Sequence, residues 1–172
     1  MKLALFLPLL LLGACATQPS HDDTPETALE VVHDFYRHYF EGLRRPGKHP
    51  QMPGSKRWRE LTQENARICR QKAGSDICGV GADGDIYLDA QDYSTDLTIL
   101  KSGFTAREIA PGRILVKFKL FPQYRDKELQ QERSHVFVMV QEDGKWLMDD
   151  ILYGRRSLRQ QVQEQNAYFR SL

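Results

Sequence analysis

Three strand-like runs lie within residues 112–153: RILVKFKLF (113–121), HVFVMV (135–140) and KWLMDDILY (145–153). Each run is rich in β-branched, aromatic or other apolar residues, as extended backbone favours. Asp143 and Gly144 separate the last two runs. An Asp-Gly pair between two such runs is a strong hairpin signal, because both turn positions require φ > 0. The stretch therefore predicts consecutive antiparallel strands that form the central sheet.

Further elements are predicted on both sides of this stretch. Residues 97–109 have the pattern of an earlier strand, interrupted at Gly103, where a bulge would bend the sheet. Residues 110–112, Ala-Pro-Gly, then turn the chain into the next strand. Residues 122–132 read as a long polar connection, and residues 157–169 as a closing helix. We therefore expect an antiparallel sheet of about four strands.

Two helices are predicted before the sheet. Thr24-Pro25-Glu26 has the order of a capping hydroxyl, a Pro in the first turn and an acid, so we expect a helix from there to about Leu43. Its apolar side chains fall on one broad arc, which suits a helix that lies across a sheet. Ser55 is expected to cap a second helix over residues 56–69. Helices and a meandering sheet in one chain predict an α+β fold.

The N-terminus has the pattern of a lipoprotein signal peptide over residues 1–14. Lys2 precedes an apolar run over residues 3–12, which is about half the ~20 residues that a membrane-spanning helix needs. Leu12-Gly13-Ala14-Cys15 follows and resembles the bacterial lipobox. That resemblance implies that Cys15 becomes the first mature residue and carries several acyl chains, which anchor a protein stably. An ordinary cleaved signal with a chance Cys is the alternative.

Three segments are therefore expected: the signal peptide, a lipidated flexible tether over residues 15–23, and a single domain over residues 24–172. Because no Asp follows Cys15, the lipoprotein pattern implies the outer membrane, with the domain facing the periplasm. The whole chain has 24 Lys and Arg against 23 Asp and Glu. Residues 1–14 contain one Lys and no acid, so the mature chain has 23 of each. This balance argues against nucleic acid as a partner.

Cys69 and Cys78 are the two cysteines that remain in a chain addressed to an oxidising compartment. A disulfide is the leading interpretation. A zinc site is disfavoured, because no nearby Cys-x-x-Cys or His supplies the other ligands. A redox pair is the third reading, although the spacing differs from the usual motif.

Three stretches resemble the YbjP-like family of bacterial lipoproteins, a family of unknown function. They are DIYLDAQD (85–92), GKWLMDDI (144–151) followed by Tyr153, and SLRQ (157–160) at the start of the last helix. The resemblance covers residues 26–166. The Gly-Lys-Trp stretch with its Asp-Asp-Ile also resembles the last strand of nuclear-transport-factor-2-like domains. That wider resemblance implies a helical layer on a strongly bent antiparallel sheet, a cone with a pocket. No catalytic residues are established for the family, so none is transferred here.

Two groups of acids invite a chemical interpretation. The first comprises Asp83, Asp85, Asp89, Asp92 and Asp96, which suggest calcium ligands. The EF-hand spacing is absent, because the loop has no Gly at its sixth position and no Glu at its twelfth. We therefore favour aspartates that form turns or cap helices, and we expect no metal.

Asp149 and Asp150 form the second group. Strand alternation places Met148 and Asp150 on one face and Asp149 and Ile151 on the other, so one Asp must point toward the core. A half-buried carboxylate needs a partner, and a structural hydrogen bond is our favoured reading. The alternative is a general base that works with a Tyr as proton donor. The residues singled out for a pocket or a structural motif are Tyr36, Asp89, Gln91, Asp92, Trp146, Asp149, Asp150 and Tyr153.

The common nucleotide, hydrolase and metalloprotease motifs are missing from the sequence. We expect a lipid-anchored envelope domain that binds a small ligand or an envelope protein, and no cofactor. A pocket enzyme that uses Asp149 or Asp150, and an immunity-type inhibitor of an envelope toxin, are the alternatives. We expect Trp146 to be a core anchor.

Overall fold

The computed structural model describes residues 26–45, 49–73 and 78–172. The signal peptide, Cys15 and the tether lie outside these residues. Five strands form one sheet in the order β1-β2-β3-β4-β5, and every neighbouring pair is antiparallel. The strands are β1 Thr105–Ala110, β2 Arg113–Lys119, β3 Glu132–Glu142, β4 Lys145–Tyr153 and β5 Arg156–Ser157. The α+β fold is confirmed, with one strand more than expected, since two residues of β5 add to the edge.

The Asp-Gly turn forms as the sequence predicts. Asp143 and Gly144 have φ of 51° and 75°, and β3 and β4 pair on either side of them. Residues 120–131 connect β2 to β3. This is the polar connection that the sequence indicates.

Three longer helices accompany the sheet: α1 Ala28–Gly42, α2 Lys56–Ala73 and α4 Leu158–Ser171. The expected start of α1 at Thr24-Pro25-Glu26 is wrong, because Thr27 is the N-cap and forms a capping box with Glu30. The expected cap of α2 is confirmed, since Ser55 Oγ accepts a hydrogen bond of 3.0 Å from Trp58 N. Ser157 caps α4 in the same way through Gln160 N.

The strand expected over residues 97–109 is only partly correct. Thr98 caps a short helix, α3 Ile99–Ser102, and Gly103 ends it in the left-handed conformation with φ of 63°. Strand β1 begins only at Thr105. Gly103 is therefore a helix C-cap rather than a bulge, because glycine adopts positive φ without a steric penalty.

Strand β4 contains a bulge that sequence alternation does not reveal. Val138 pairs with Asp150 and Met139 pairs with Met148, so Asp149 is an extra residue without a partner on β3. The extra residue reverses the alternation, and Met148 and Ile151 are both fully buried. The expected assignment of these residues to opposite faces of β4 is therefore wrong. Met148 and Ile151 share the core face, and both Asp149 and Asp150 are buried.

The core lies between the sheet and its helices. Aromatic residues of α1 pack against inward-facing residues of β2 and β3, with α2 and α4 packed on each other and on β4. Among the described residues, no helix is both long and apolar enough to cross a membrane.

Candidate functional site

The helix-facing side of the sheet is filled by side chains. Tyr36 and Phe40 of α1 meet Phe118 of β2 and Phe137 of β3, and all four are at most 1% exposed. Ring centroids of Tyr36 lie 5.5 Å from Phe118 and 5.8 Å from Phe137, which is ordinary aromatic packing. Tyr36, a candidate pocket residue, is therefore a core residue.

A polar pair lies inside this aromatic core. His135 Nε2 is 2.8 Å from the hydroxyl of Tyr36, which donates to Tyr87 O at 2.7 Å. His135 is 2% exposed, and burial lowers the pKa of its imidazole to about 3. The imidazole is neutral at ordinary pH and acts as a structural partner of Tyr36.

Asp150 holds the start of α4. Its Oδ1 accepts from the backbone N–H groups of Ile151 and Arg159, both at 2.8 Å, and its Oδ2 accepts from Ser157 Oγ at 2.6 Å. The carboxylate thus caps the N-terminus of a helix, where negative charge is stabilised. Both of its oxygens are committed to the fold.

Asp149 holds the starts of two helices together. Its Oδ1 accepts from Ser55 Oγ at 2.7 Å, and Ser55 caps α2. Its Oδ2 forms an ion pair with the guanidinium of Arg159 in α4. The bulge makes this possible, because it turns Asp149 out of the strand pairing toward the two helix starts. The structure favours the structural reading of both aspartates.

Residues 79–92, which we call the rim segment, cross the edge of the core and are tied to it through backbone carbonyls. Ile86 O accepts from Tyr153 Oη at 2.6 Å, and Tyr87 O accepts from Tyr36 Oη. Asp89 O accepts from Arg133 Nε at 3.1 Å. These donors pair carbonyls of the rim segment, and pairing matters most where the carbonyl is buried, because an unpaired buried carbonyl is costly.

Asp85 organises the rim segment from within. Its Oδ1 accepts from the backbone N–H groups of Tyr87 at 2.9 Å and Leu88 at 3.1 Å, and its Oδ2 accepts from the hydroxyl of Tyr39. Asp85 and Ala90 also pair through their backbones. Gln91 Nε2 donates to Asp83 O at 2.7 Å. The rim segment is thus a closed loop with a fixed shape.

Two clefts flank the rim segment and share part of its lining. The α1-side cleft has a volume of about 530 Å³ and is lined by Tyr39, His49, Gln51, Tyr87 and Tyr93 together with rim residues. The α4-side cleft has a volume of about 650 Å³ and is lined by Tyr153, Leu158, Gln161, Val162 and Gln165 together with rim residues. Both volumes lie within the ~300–1,000 Å³ that small-molecule sites occupy.

The lining of both clefts is acidic. Asp83 and Asp85 line both, and Asp89 lines the α4-side cleft, while among the described residues neither lining includes a Lys or Arg. Burial, and after it the Asp85 charge, raise the pKa of the Tyr39 and Tyr93 hydroxyls. Burial followed by the Asp89 charge does the same for the pKa of Tyr153. The tyrosines therefore stay neutral, and the clefts carry negative charge.

The sequence-predicted site residues fall into separate places. Asp89, Gln91 and Tyr153 meet at the α4-side cleft. Asp92 is exposed and lines neither cleft. Trp146 lies at the margin of the core, half-buried, and also lines neither cleft.

Sequence reasoning missed Tyr39, Tyr93 and Gln161 as cleft residues, and His135 as the partner of Tyr36. The helical periodicity places Tyr39 on the apolar face of α1, which by itself indicates a core residue. A tyrosine next to an acid-rich loop is a weak signal, because the contact to Asp85 spans 46 positions of the sequence.

The five acids of the possible calcium group do not converge. Asp96 pairs with Lys101 at 2.5 Å, and Asp85 is engaged inside the rim segment. Within the described residues, no three His, Cys, Asp or Glu side chains are placed to hold a metal ion.

A disulfide connects α2 to the start of the rim segment. Cys69 and Cys78 are bonded, with their Cα atoms 5.7 Å apart. The disulfide reading of this pair is confirmed. The bond positions Gly79, the first residue of the rim segment, beside α2.

Comparison with known proteins adds relatives without an established activity. No family model matches this chain. The chain is 26% identical over 163 residues to the uncharacterized protein YqhG of Escherichia coli K12. This match covers 92% of this chain and 49% of that protein. The chain thus spans about half the length of the curated relative that it matches. A crystal structure of a protein of unknown function from Bacteroides thetaiotaomicron has a TM-score of 0.48 and 19% identity, over 73% of this chain and 88% of that one.

Proposed function

We propose that this chain is a lipid-anchored, periplasm-facing domain of the outer membrane that binds a small polar ligand at the clefts beside the rim segment and catalyses no reaction. The acidic, tyrosine-lined clefts carry this proposal. They are concave, open to solvent and held in shape by the tyrosine and Arg133 contacts. Such a preformed surface suits binding, because little conformational entropy is lost when a ligand enters.

The hydrogen bonds that occupy the carboxylates of Asp149 and Asp150 support a binding role rather than a catalytic one. A general base needs a free lone pair within reach of a substrate proton. Both oxygens of each carboxylate already accept hydrogen bonds from helix starts or from Arg159. His135 is enclosed by aromatic rings and lines neither cleft.

The membrane attachment is supported by the lipobox-like Leu12-Gly13-Ala14-Cys15. We also propose that the chain is related to the YbjP-like lipoproteins and has the bent sheet of the nuclear-transport-factor-2-like group, on the strength of the sequence resemblance. Metabolic labelling with a fatty-acid analogue tests the attachment. We expect label on the wild-type chain and none on Cys15→Ser, and label that persists in this variant would refute the lipid anchor.

Ligand binding at the rim segment is tested with a fragment set of equal parts cationic, anionic and neutral compounds. The full mature chain, in a maltoside detergent, is titrated while its backbone amide NMR signals are recorded. We expect shifts concentrated in residues 79–92. Hits that map to other surfaces, or a set without hits, would contradict the proposal.

A second candidate is an interface with an envelope protein, as an immunity-type inhibitor requires. The outer face of the sheet favours it, because six apolar side chains there are partly exposed and do not belong to the main core: Leu115, Val136, Val138, Val140, Leu147 and Leu152. Photo-crosslinkers placed in cells at Val138 and at Gln91 separate the candidates. A protein adduct at Val138 alone favours the interface, with Asp143 in the hairpin turn as the control position.

A further inference from the structure

The α1-side cleft combines tyrosine rings with unneutralised carboxylates. Tyr39, Tyr87 and Tyr93 contribute to its lining, as do Asp83 and Asp85. We propose that this cleft binds an organic ammonium ion, with Tyr93 and Asp83 as the residues that select it. This inference rests on the proposed function and names the ligand class of one of its two clefts.

Asp83 is the carboxylate that is available to a ligand. It is exposed, and within the part of the chain that the structure describes its side chain makes no hydrogen bond or ion pair. Asp85 differs, because its oxygens are occupied by Tyr39, Tyr87 and Leu88. Asp85 therefore supplies a fixed negative charge, and Asp83 a carboxylate that can approach the cation.

Tyr93 is the ring most open to a ligand. It is only partly buried, whereas Tyr39 and Tyr87 are 3% and 4% exposed and pack on each other with centroids 5.2 Å apart. A cation within about 6 Å of a ring centroid is attracted by the ring quadrupole. Raised pKa values keep these hydroxyls protonated, so the rings do not become competing anions.

The charge of the lining selects among ligand classes. Within the part of the chain that the structure describes, the lining of this cleft includes no Lys or Arg that would receive a phosphate or carboxylate. Its two aspartates repel such anions, whereas an ammonium group gains from both the carboxylates and the rings. A neutral ligand of the same shape gains from neither charge effect.

The test uses choline and its neutral isostere 3,3-dimethylbutan-1-ol as matched probes. The full mature chain in maltoside detergent is titrated with each, and backbone amide NMR signals of residues 79–93 are followed. We expect choline to bind and the isostere to bind about tenfold more weakly or not at all. Equal affinities would overturn the inference, because charge would then play no part, while leaving the proposed binding surface intact.

Four variants assign the contacts. Asp83→Asn should weaken choline binding about threefold, with Asp143→Asn, an exposed acid in the hairpin turn far from the rim segment, as the unchanged control. Tyr93→Leu should weaken it about fivefold, whereas Tyr93→Phe should retain it, since phenylalanine keeps the ring face. A Tyr93→Leu chain that binds choline like wild type would overturn the role of the ring.

Two further arms separate this inference from the proposed function and identify the source of the cation. The neutral disaccharide N,N′-diacetylchitobiose is the additional probe. If it shifts the rim signals and choline does not, the inference is overturned and the proposed function is retained. If neither choline, the isostere nor this disaccharide perturbs the rim, both fail. The source of the cation is tested in nanodiscs of phosphatidylglycerol to which phosphatidylcholine is added. If free choline binds and the added phosphatidylcholine also shifts the rim signals, a lipid headgroup is one source.

Discussion

At the scale of single residues, Asp150 joins the last long strand to the last helix. Its carboxylate accepts from Ser157 Oγ and from two backbone N–H groups. Hydrogen bonds to a charged acceptor are stronger than neutral ones, and the loss of a buried acceptor leaves its donors unpaired. Asp150 is therefore a determinant of stability, which agrees with the structural interpretation that the sequence favours over a general base.

Replacement of Asp150 by Ala should lower the free energy of unfolding by about 3 kcal/mol, because one buried and two partly buried donors lose their acceptor. Chemical denaturation of the full chain measures this. Asp92→Ala removes an exposed acid and serves as the control, with a change within about 0.5 kcal/mol. Equal denaturation midpoints for the two variants would contradict the capping role.

The residue contacts that sequence can predict are the local ones. The cap formed by Ser55 follows from its position before a helical pattern, because its partner Trp58 is three residues away. The contact between Tyr36 and His135 spans 99 positions, and that between Tyr153 and Ile86 spans 67. Nothing in the local pattern specifies such partners, so the site residues were predicted singly and their grouping was not.

At the scale of elements, the two tryptophans differ in how far they enter the core. Trp58 of α2 is 7% exposed and belongs to the main core. Trp146 of β4 is half-buried at the core margin, where it lies over Gly112. The position just after the hairpin turn places Trp146 near the end of the sheet, where fewer neighbours cover it.

The variants Trp58→Ala and Trp146→Ala compare these positions directly. We expect a loss of about 4 kcal/mol for Trp58→Ala, as for other large-to-small core changes, and about 1.5 kcal/mol for Trp146→Ala, because part of its surface is already exposed to water. Both values are measured by denaturant titration, with the near-ultraviolet circular dichroism of the tyrosines as the signal for unfolding. A larger loss for Trp146→Ala would restore it as the core anchor.

Strands with consistent patterns were predictable, and irregular ones were not. Run 113–121 contains β2 and run 135–140 lies within β3, because a dense β-branched and aromatic pattern leaves few alternatives. Residues 99–102 are apolar enough to suit a strand, yet the cap Thr98 and the left-handed Gly103 close them into a helix. The bulge at Asp149 depends on the register of the partner strand, which no single-strand pattern encodes.

At the scale of the whole molecule, the disulfide couples the rim segment to the helical layer. The Cys69–Cys78 bond spans a sequence separation of 9 residues. A closed loop of this size stabilises a fold by about 2.5–3 kcal/mol in the chain-entropy model. We expect the double variant Cys69→Ser/Cys78→Ser to lose that amount and to show faster hydrogen exchange in residues 79–92 than in β3. Unchanged exchange in the rim segment would contradict the coupling.

The buried imidazole of His135 makes the stability of the whole molecule sensitive to acid. Its pKa is about 3 in the folded chain, because of burial, against 6.5 for an unperturbed histidine. Between these two pH values the unfolded chain binds one proton more than the folded chain at this site. Stability contributed by the neutral imidazole is therefore fully present above pH 6.5 and declines as the pH falls toward 3, by at most about 1.4 kcal/mol per pH unit.

His135→Phe isolates this contribution, since phenylalanine suits the surrounding rings and does not titrate. Tyr36 keeps its hydrogen bond to Tyr87 O in this variant. The free energy of unfolding is measured by urea titration at several pH values from 7.5 to 4. Carboxylates and the other histidines titrate in both proteins, so the quantity of interest is the difference, wild type minus variant. We expect this difference to fall steadily as the pH drops below 6.5. A difference independent of pH would contradict this, because it would mean that the pKa of His135 is the same in the folded and the unfolded chain.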